Sequence, residues 1–89
     1  MGRLDNQIAW ISGAAQGIGA GAAMLFAEEG ASVLVADINE SMGTALVEQI
    51  IAKDQHAAFV KCDVTKACDV QKSIDAAVKT FGGLHIMIN

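Results

Sequence analysis

Near the start of this 89-residue chain an apolar run, a glycine-spaced octapeptide and an alanine-rich segment follow one another, and together they leave few folds open. Ile8-Ala9-Trp10-Ile11 reads as a buried strand and Ser12-Gly13-Ala14-Ala15-Gln16-Gly17-Ile18-Gly19 as a turn. Ala20 to Ala27 then reads as a helix closed by Gly30. Gly13 admits the positive φ needed to leave a strand sharply. Gly17, without a Cβ, lets the backbone approach a bulky anion, and Gly19 lets the helix pack on its own strand. The free N–H groups of the first helical turn, with the positive end of the helix dipole, then make a phosphate site. A glycine turn that binds nothing looks the same locally, so the context decides.

The apolar run Val33-Leu34-Val35-Ala36 ends in Asp37. An acid about 20 residues after the glycines is where a dinucleotide-binding βαβ unit holds the adenosine ribose hydroxyls. Asp also opens turns into helices, and that role alone would account for it here. The glycines upstream favour the ribose role.

Ser12-Gly13-x-x-x-Gly17-Ile18-Gly19 resembles the Thr-Gly-x-x-x-Gly-x-Gly pattern of the short-chain dehydrogenases/reductases, with Ser keeping the hydroxyl of Thr. The resemblance continues at Cys62-Asp63-Val64, where that family has an Asp that contacts adenine. It reaches Leu84-His85-Ile86-Met87-Ile88-Asn89, which is similar to the strand leading into the family's Asn-Asn-Ala-Gly motif. It implies a Rossmann-type, doubly wound parallel sheet of which 1–89 is the first, amino-terminal βαβαβαβ part of a single NAD(P)-binding domain. The cofactor-binding candidates are Ser12, Gly13, Gln16, Gly17, Ile18 and Gly19 of the turn, Asp37 and Ile38 after the second strand, Asp63 and Val64 after the third, and Asn89 in the fourth. In the family the acid/base is a Tyr four residues before a Lys, with an assisting Ser, all downstream of the Asn motif. This chain has no tyrosine, so no catalytic residue is assigned within it. The resemblance further implies an alcohol or ketone as small-molecule substrate, and a homodimer or homotetramer.

Composition agrees with that partial reading. A chain this short buries roughly 60–65% of its unfolded surface, and 53% hydrophobic residues is high for so small an independent unit. Ending on a strand in mid-motif reads as a fragment whose fourth strand is an apolar edge. The net charge of −4 and the six scattered Lys and Arg argue against nucleic acid. No apolar run reaches the ~18 residues of a membrane span. No signal-peptide core follows Met1, so the expected compartment is the cytoplasm. Cys62 and Cys68 fit neither a zinc knuckle nor a Cys-x-x-Cys motif, and no metal is expected. They read as a small hydrophobe at a strand end and a residue of a first helical turn. Asn39-Glu40-Ser41, formally a sequon, reads as a helix start.

In order, strands are expected at 7–12, 32–37, 56–61 and 84–89, and helices at 17–29, 40–53 and 67–81. Ile18, Ala22, Leu25 and Phe26 are expected to face the core from the first helix. Met42, Leu46 and Ile50, flanked by Val47 and Ile51, do so from the second, and Val70, Ile74, Ala77 and Phe81 from the third. Asn39 and Thr65 are expected caps, and Asp69, Lys72 and Asp75 are expected to point to solvent. Trp10 reads as core rather than ligand platform, and His56 as exposed or satisfied. Right-handed crossovers give strand order 3-2-1-4, with ligand at the carboxyl ends. NAD is favoured over NADP, because Asp37 opposes a 2′-phosphate. Gln16 and Ile38 are uncharged, and Lys53 is the nearest base in sequence. The rival readings are a non-catalytic dinucleotide-binding half-domain and a methyltransferase. The latter also has a glycine turn and an acid, but fits the Gly-Ile-Gly spacing less well.

Overall fold

Parallel neighbours need a crossover connection, most often a helix, and the sequence places a helix between every two strands. The computed structural model, which describes residues 4–13, 17–63 and 65–88, shows β1 (Ile8–Ser12), α1 (Gly17–Glu28), β2 (Ser32–Asp37), α2 (Glu40–Ile51), β3 (His56–Lys61), α3 (Ala67–Phe81) and β4 (Ile86–Ile88). The strands form one parallel sheet of order β3-β2-β1-β4, as the crossover rule requires. All five residues of the central β1 are buried, and so are Val33 to Ala36 of β2. Side chains alternate across the sheet. Ala9, Ile11, Val33 and Val35 pack with Ala23 and Ala27 of α1 and Leu46, Val47 and Ile50 of α2. Trp10, Leu34, Ala36 and Cys62 pack with Ala77 of α3. Helices therefore cover both faces.

Several packing expectations change. In α1 the buried residues are Ala23 and Ala27, while Ile18 and Leu25 are 94% and 55% exposed. Small residues four apart let α1 lie close on the sheet, so its larger side chains are displaced to the flanks or, for Ile18, to the open first turn. In α2, Leu46, Val47 and Ile50 are buried, but Ile51 and Met42 are exposed. Gly43 is also buried, and a Cβ there would collide with the Phe59 ring of β3. This glycine is a seat for an aromatic side chain. Asn39 caps α2, its Oδ1 accepting from the Met42 N–H at 3.1 Å. Thr65 does not cap α3; the cap position is Lys66, with no side-chain bond. Asp69 does not point to solvent but accepts from the Asp63 N–H.

The fourth strand starts at Ile86 rather than Leu84. The His85 N–H donates to the Ile8 carbonyl at 2.9 Å, and His85 Nδ1 accepts from the Ile8 N–H at 3.0 Å. A side chain thus takes the place of a ladder carbonyl, and Leu84 packs beside the Trp10 cluster instead. α1 and α2 end slightly earlier than the apolar pattern suggests, and β1 begins at Ile8 because the Gln7 N–H closes a turn onto Leu4.

Trp10 is core, 1% exposed, and its indole Nε1–H donates to Ser73 Oγ at 2.7 Å. The Ser73 hydroxyl donates in turn to the Val70 carbonyl at 2.7 Å. Ser73 is fully buried, so no water replaces it. Ser73→Ala is expected to lower unfolding free energy by about 1–3 kcal/mol, the penalty of a buried unpaired donor. Urea denaturation measures this, and a change below about 0.5 kcal/mol would contradict the assignment.

Candidate functional site

The carboxyl ends of β1, β2 and β3 finish nearly level. Ser12 pairs with Ala36 and Ala36 with Val60, and two further bonds extend the ladder past the strands. These run from the Gly13 N–H to the Ala36 carbonyl at 2.9 Å and from the Cys62 N–H to the Asp37 carbonyl at 3.0 Å. Between these exits lies an open cleft of about 160 Å³ lined by Gly13, Ala36, Asp37, Ile38, Cys62 and Asp63. Complete small-molecule sites are typically ~300–1,000 Å³, so this one suits one end of a long ligand.

Four residues singled out from sequence, Gly13, Asp37, Ile38 and Asp63, meet in that cleft. Ser12 lies just behind it, its hydroxyl donating to the Ile88 carbonyl at 3.4 Å and so tying β1 to β4. Gly17, Ile18 and Gly19 begin α1 and are not among the cleft's described lining. Gln16, Val64 and Asn89 lie outside the described residues. Gly13 and Gly17 have φ of 63° and 66°, the left-handed region that disfavours side chains. Among the described residues, no atom lies within 4 Å of a Cβ added on either. The first turn of α1 carries no Asp or Glu, leaving its N–H groups without a competing internal carboxylate.

Each acid is oriented by its own turn. Asp37 Oδ1 accepts from the Asn39 N–H at 2.8 Å, so Asp37 does begin a turn, as the plainer reading expected, and lines the cleft as well. Asp63 Oδ1 accepts from both the hydroxyl and the N–H of Thr65, at 2.6 and 3.0 Å. The Asp63 N–H donates to Asp69 Oδ2 at 3.2 Å. The Thr65 hydroxyl, then its N–H, hold the Asp63 carboxyl below its ordinary range; desolvation opposes this and the Lys66 charge assists it. Sequence reading missed Thr65 and Asp69 as partners of Asp63, although Asp-x-Thr is an Asx-turn spacing. It also missed Lys61, the register partner of Asp37 on β3.

Among the described residues, no group of three or more His, Cys, Asp or Glu is placed to hold a metal. No described helix is long and apolar enough to cross a membrane. Cys62 is buried and Cys68 exposed.

The sequence model of the family described as enoyl-(acyl carrier protein) reductase matches residues 13–89. The chain is 46% identical over 87 residues to mitochondrial borneol dehydrogenase of Lavandula x intermedia, covering 98% of this chain and 32% of that protein. It is 45% identical over 87 residues to a 2,5-dichloro-2,5-cyclohexadiene-1,4-diol dehydrogenase of Sphingobium indicum, covering 98% of this chain and 35% of that one. A hydroxysteroid dehydrogenase structure from Escherichia coli superposes with a TM-score of 0.95 at 37% identity, over 98% of this chain and 37% of that one. A short-chain dehydrogenase/reductase from Burkholderia phymatum, in complex with NAD, gives 0.92 at 31% identity, over 98% and 31%. The chain thus spans about a third of the length of the curated relatives it matches.

Because Thr65 supplies the main downward pull on Asp63, Thr65→Val is expected to raise the Asp63 carboxyl toward the ordinary aspartate range. The stability that a lowered carboxyl contributes is present above its unfolded value and lost as pH falls through its folded value. Carboxyl-carbon NMR titration of the two proteins checks this, and superimposable Asp63 curves would contradict it.

Proposed function

The chain belongs to the short-chain dehydrogenase/reductase family, and on that premise we propose that residues 1–89 bind the adenosine and pyrophosphate of NAD in an oxidoreductase acting on a secondary alcohol or ketone. The observation that carries this reading is the meeting of Gly13, Asp37 and Asp63, from three separate strand exits, in one cleft. Ligands of open α/β sheets bind outside the carboxyl ends of the strands. The relatives named as dehydrogenases of borneol and of a cyclohexadienediol support the alcohol class, and the NAD-bound neighbour supports the cofactor.

The residues present suit such a group. The bare backbone at Gly13 and Gly17 and the acid-free first turn of α1 offer N–H donors to a pyrophosphate. Asp37 accepts from the ribose hydroxyls, and Asp63 accepts from the amino group of the base. Ile38, 61% exposed at the cleft, offers apolar surface to the base. Gln16, Ile18, Val64 and Asn89 complete the proposed contacts, while Ser12 holds the strand end from which the glycine turn leaves. Hydride exchange with a carbonyl or alcohol is the chemistry a nicotinamide supplies when bound. With no tyrosine among them, residues 1–89 have the role of binding and orienting the cofactor.

NAD rather than NADP follows from charge. A 2′-phosphate beside Asp37 sets about two negative charges against a carboxylate. Lys61 is one strand away, roughly 4.8 Å between backbones, and offsets part of that repulsion. The acid prevails because Asp37 lines the cleft and Lys61 does not. In calorimetry, the full-length protein is expected to bind NAD at least about tenfold more tightly than NADP, or roughly 1.4 kcal/mol. Asp37→Ala should erode that ratio, and adding Ile38→Arg should move it further toward NADP. Equal affinity of the unaltered protein for the two cofactors would remove Asp37 from the ribose site.

A further inference from the structure

We propose that Thr65 and Asp69 are positioning residues that hold Asp63 as an acceptor-only contact for the 6-amino group of adenine, and so set a preference for adenine over a 6-oxo purine in the dinucleotide. The inference rests on the reading of the cleft as an adenosine site. It concerns two residues outside the cleft that act through a third within it.

Asp63 is tied from both sides. Thr65 places two donors on one carboxylate oxygen, Oδ1, at 2.6 and 3.0 Å. Asp69, in the first turn of α3, takes the Asp63 N–H on its own Oδ2 at 3.2 Å. An acid in a first helical turn is favoured by the helix dipole, so Asp69 is itself steadied there. Together these bonds restrain both the backbone and the side-chain torsions of Asp63. Among the described residues no hydrogen bond reaches Asp63 Oδ2, which leaves that oxygen for a ligand. The same Thr65 donors hold the carboxyl below its ordinary range, so it stays ionised at neutral pH.

An ionised carboxylate accepts hydrogen bonds and donates none. Opposite an exocyclic amino group it forms a charge-assisted bond. Opposite a 6-oxo group, oxygen faces oxygen and the bond is lost. Sites built to pair with a donor discriminate strongly against an analogue that lacks it. The discrimination needs a fixed carboxylate, because a mobile one swings away from the mismatched base at little loss. Thr65 and Asp69 supply that fixity. If they served folding alone, their removal would weaken both dinucleotides alike and leave the ratio unchanged.

The test is calorimetric titration of the full-length protein with NAD and with nicotinamide hypoxanthine dinucleotide. The unaltered protein is expected to prefer NAD by about tenfold or more, the range of one charge-assisted hydrogen bond. Thr65→Val, which removes the hydroxyl and keeps the shape, should bring that ratio within about threefold, while Thr65→Ser retains it. Asp69→Ala should lower the ratio, and Asp69→Asn, whose amide oxygen still accepts from the Asp63 N–H, should restore it. The Asp69 pair decides the matter if Thr65→Val does not fold. An undiminished ratio in Thr65→Val or Asp69→Ala overturns the proposal, as does an unaltered protein that binds NAD without preferring it; the cofactor reading survives both results. An unaltered protein that binds neither dinucleotide overturns both readings.

Discussion

The in-register parallel ladder of β1, β2 and β3 is what every other feature of the cleft depends on. It brings the turns after Ser12, Asp37 and Lys61 to one level, and the bonds from Gly13 to Ala36 and from Cys62 to Asp37 carry the alignment past the strand ends. Register in a sheet buried on both faces is specified by side-chain alternation, since a slip of one residue exchanges the faces. In β1 the two faces are not interchangeable. Ala9 and Ile11 belong to the core cluster on the α1 side, whereas Trp10 needs the α3 side, where Ser73 receives its indole N–H. A one-residue slip would drive the indole against the small-residue face of α1. The Trp10–Ser73 bond therefore helps to specify the register that aligns the cleft.

On that frame the chain separates hydrogen-bond donors from acceptors. The start of α1 offers N–H groups without an acid beside them, and the exits of β2 and β3 each offer a carboxylate. Two acids near one cleft repel, and each is stabilised locally: Asp37 by the Asn39 N–H, Asp63 by Thr65 with Lys66 nearby. The resulting surface suits a ligand with an anionic middle and a hydroxyl- and amino-bearing end. That is the physical content of the NAD proposal, and it is independent of the family relationship.

The order of elements and the topology were legible because the chain alternates short β-rich runs with helical periods and marks their ends with Gly13, Gly30 and Gly82. Asp37 was legible as an acid spaced from the glycines at the end of the second strand and Asp63 through the family resemblance, and the structure brings both to one cleft. Legibility failed where the decisive neighbour lies on another element. Ile18 and Leu25 fit a helical stripe, but the fully buried residues of α1 are Ala23 and Ala27, with Ala22 and Phe26 only partly buried against the core. Asp69 sits on what reads as a solvated face, and only the fold of the β3–α3 turn brings the Asp63 N–H to it. Lys61 is far from Asp37 in sequence and becomes its neighbour through strand pairing. His85 looks like a strand residue, yet its side chain replaces a backbone acceptor at the start of the β1–β4 ladder.

The central claim is that one cleft, at the carboxyl ends of β1, β2 and β3, receives the adenosine of a nicotinamide dinucleotide. A crystal structure of the full-length protein with NAD tests it most directly. The ribose hydroxyls are expected within about 3.2 Å of the Asp37 carboxylate, the amino group of the base at Asp63, and the pyrophosphate at the first turn of α1. NAD bound with its adenosine elsewhere on the protein, and the cleft between Asp37 and Asp63 filled by solvent, would contradict it.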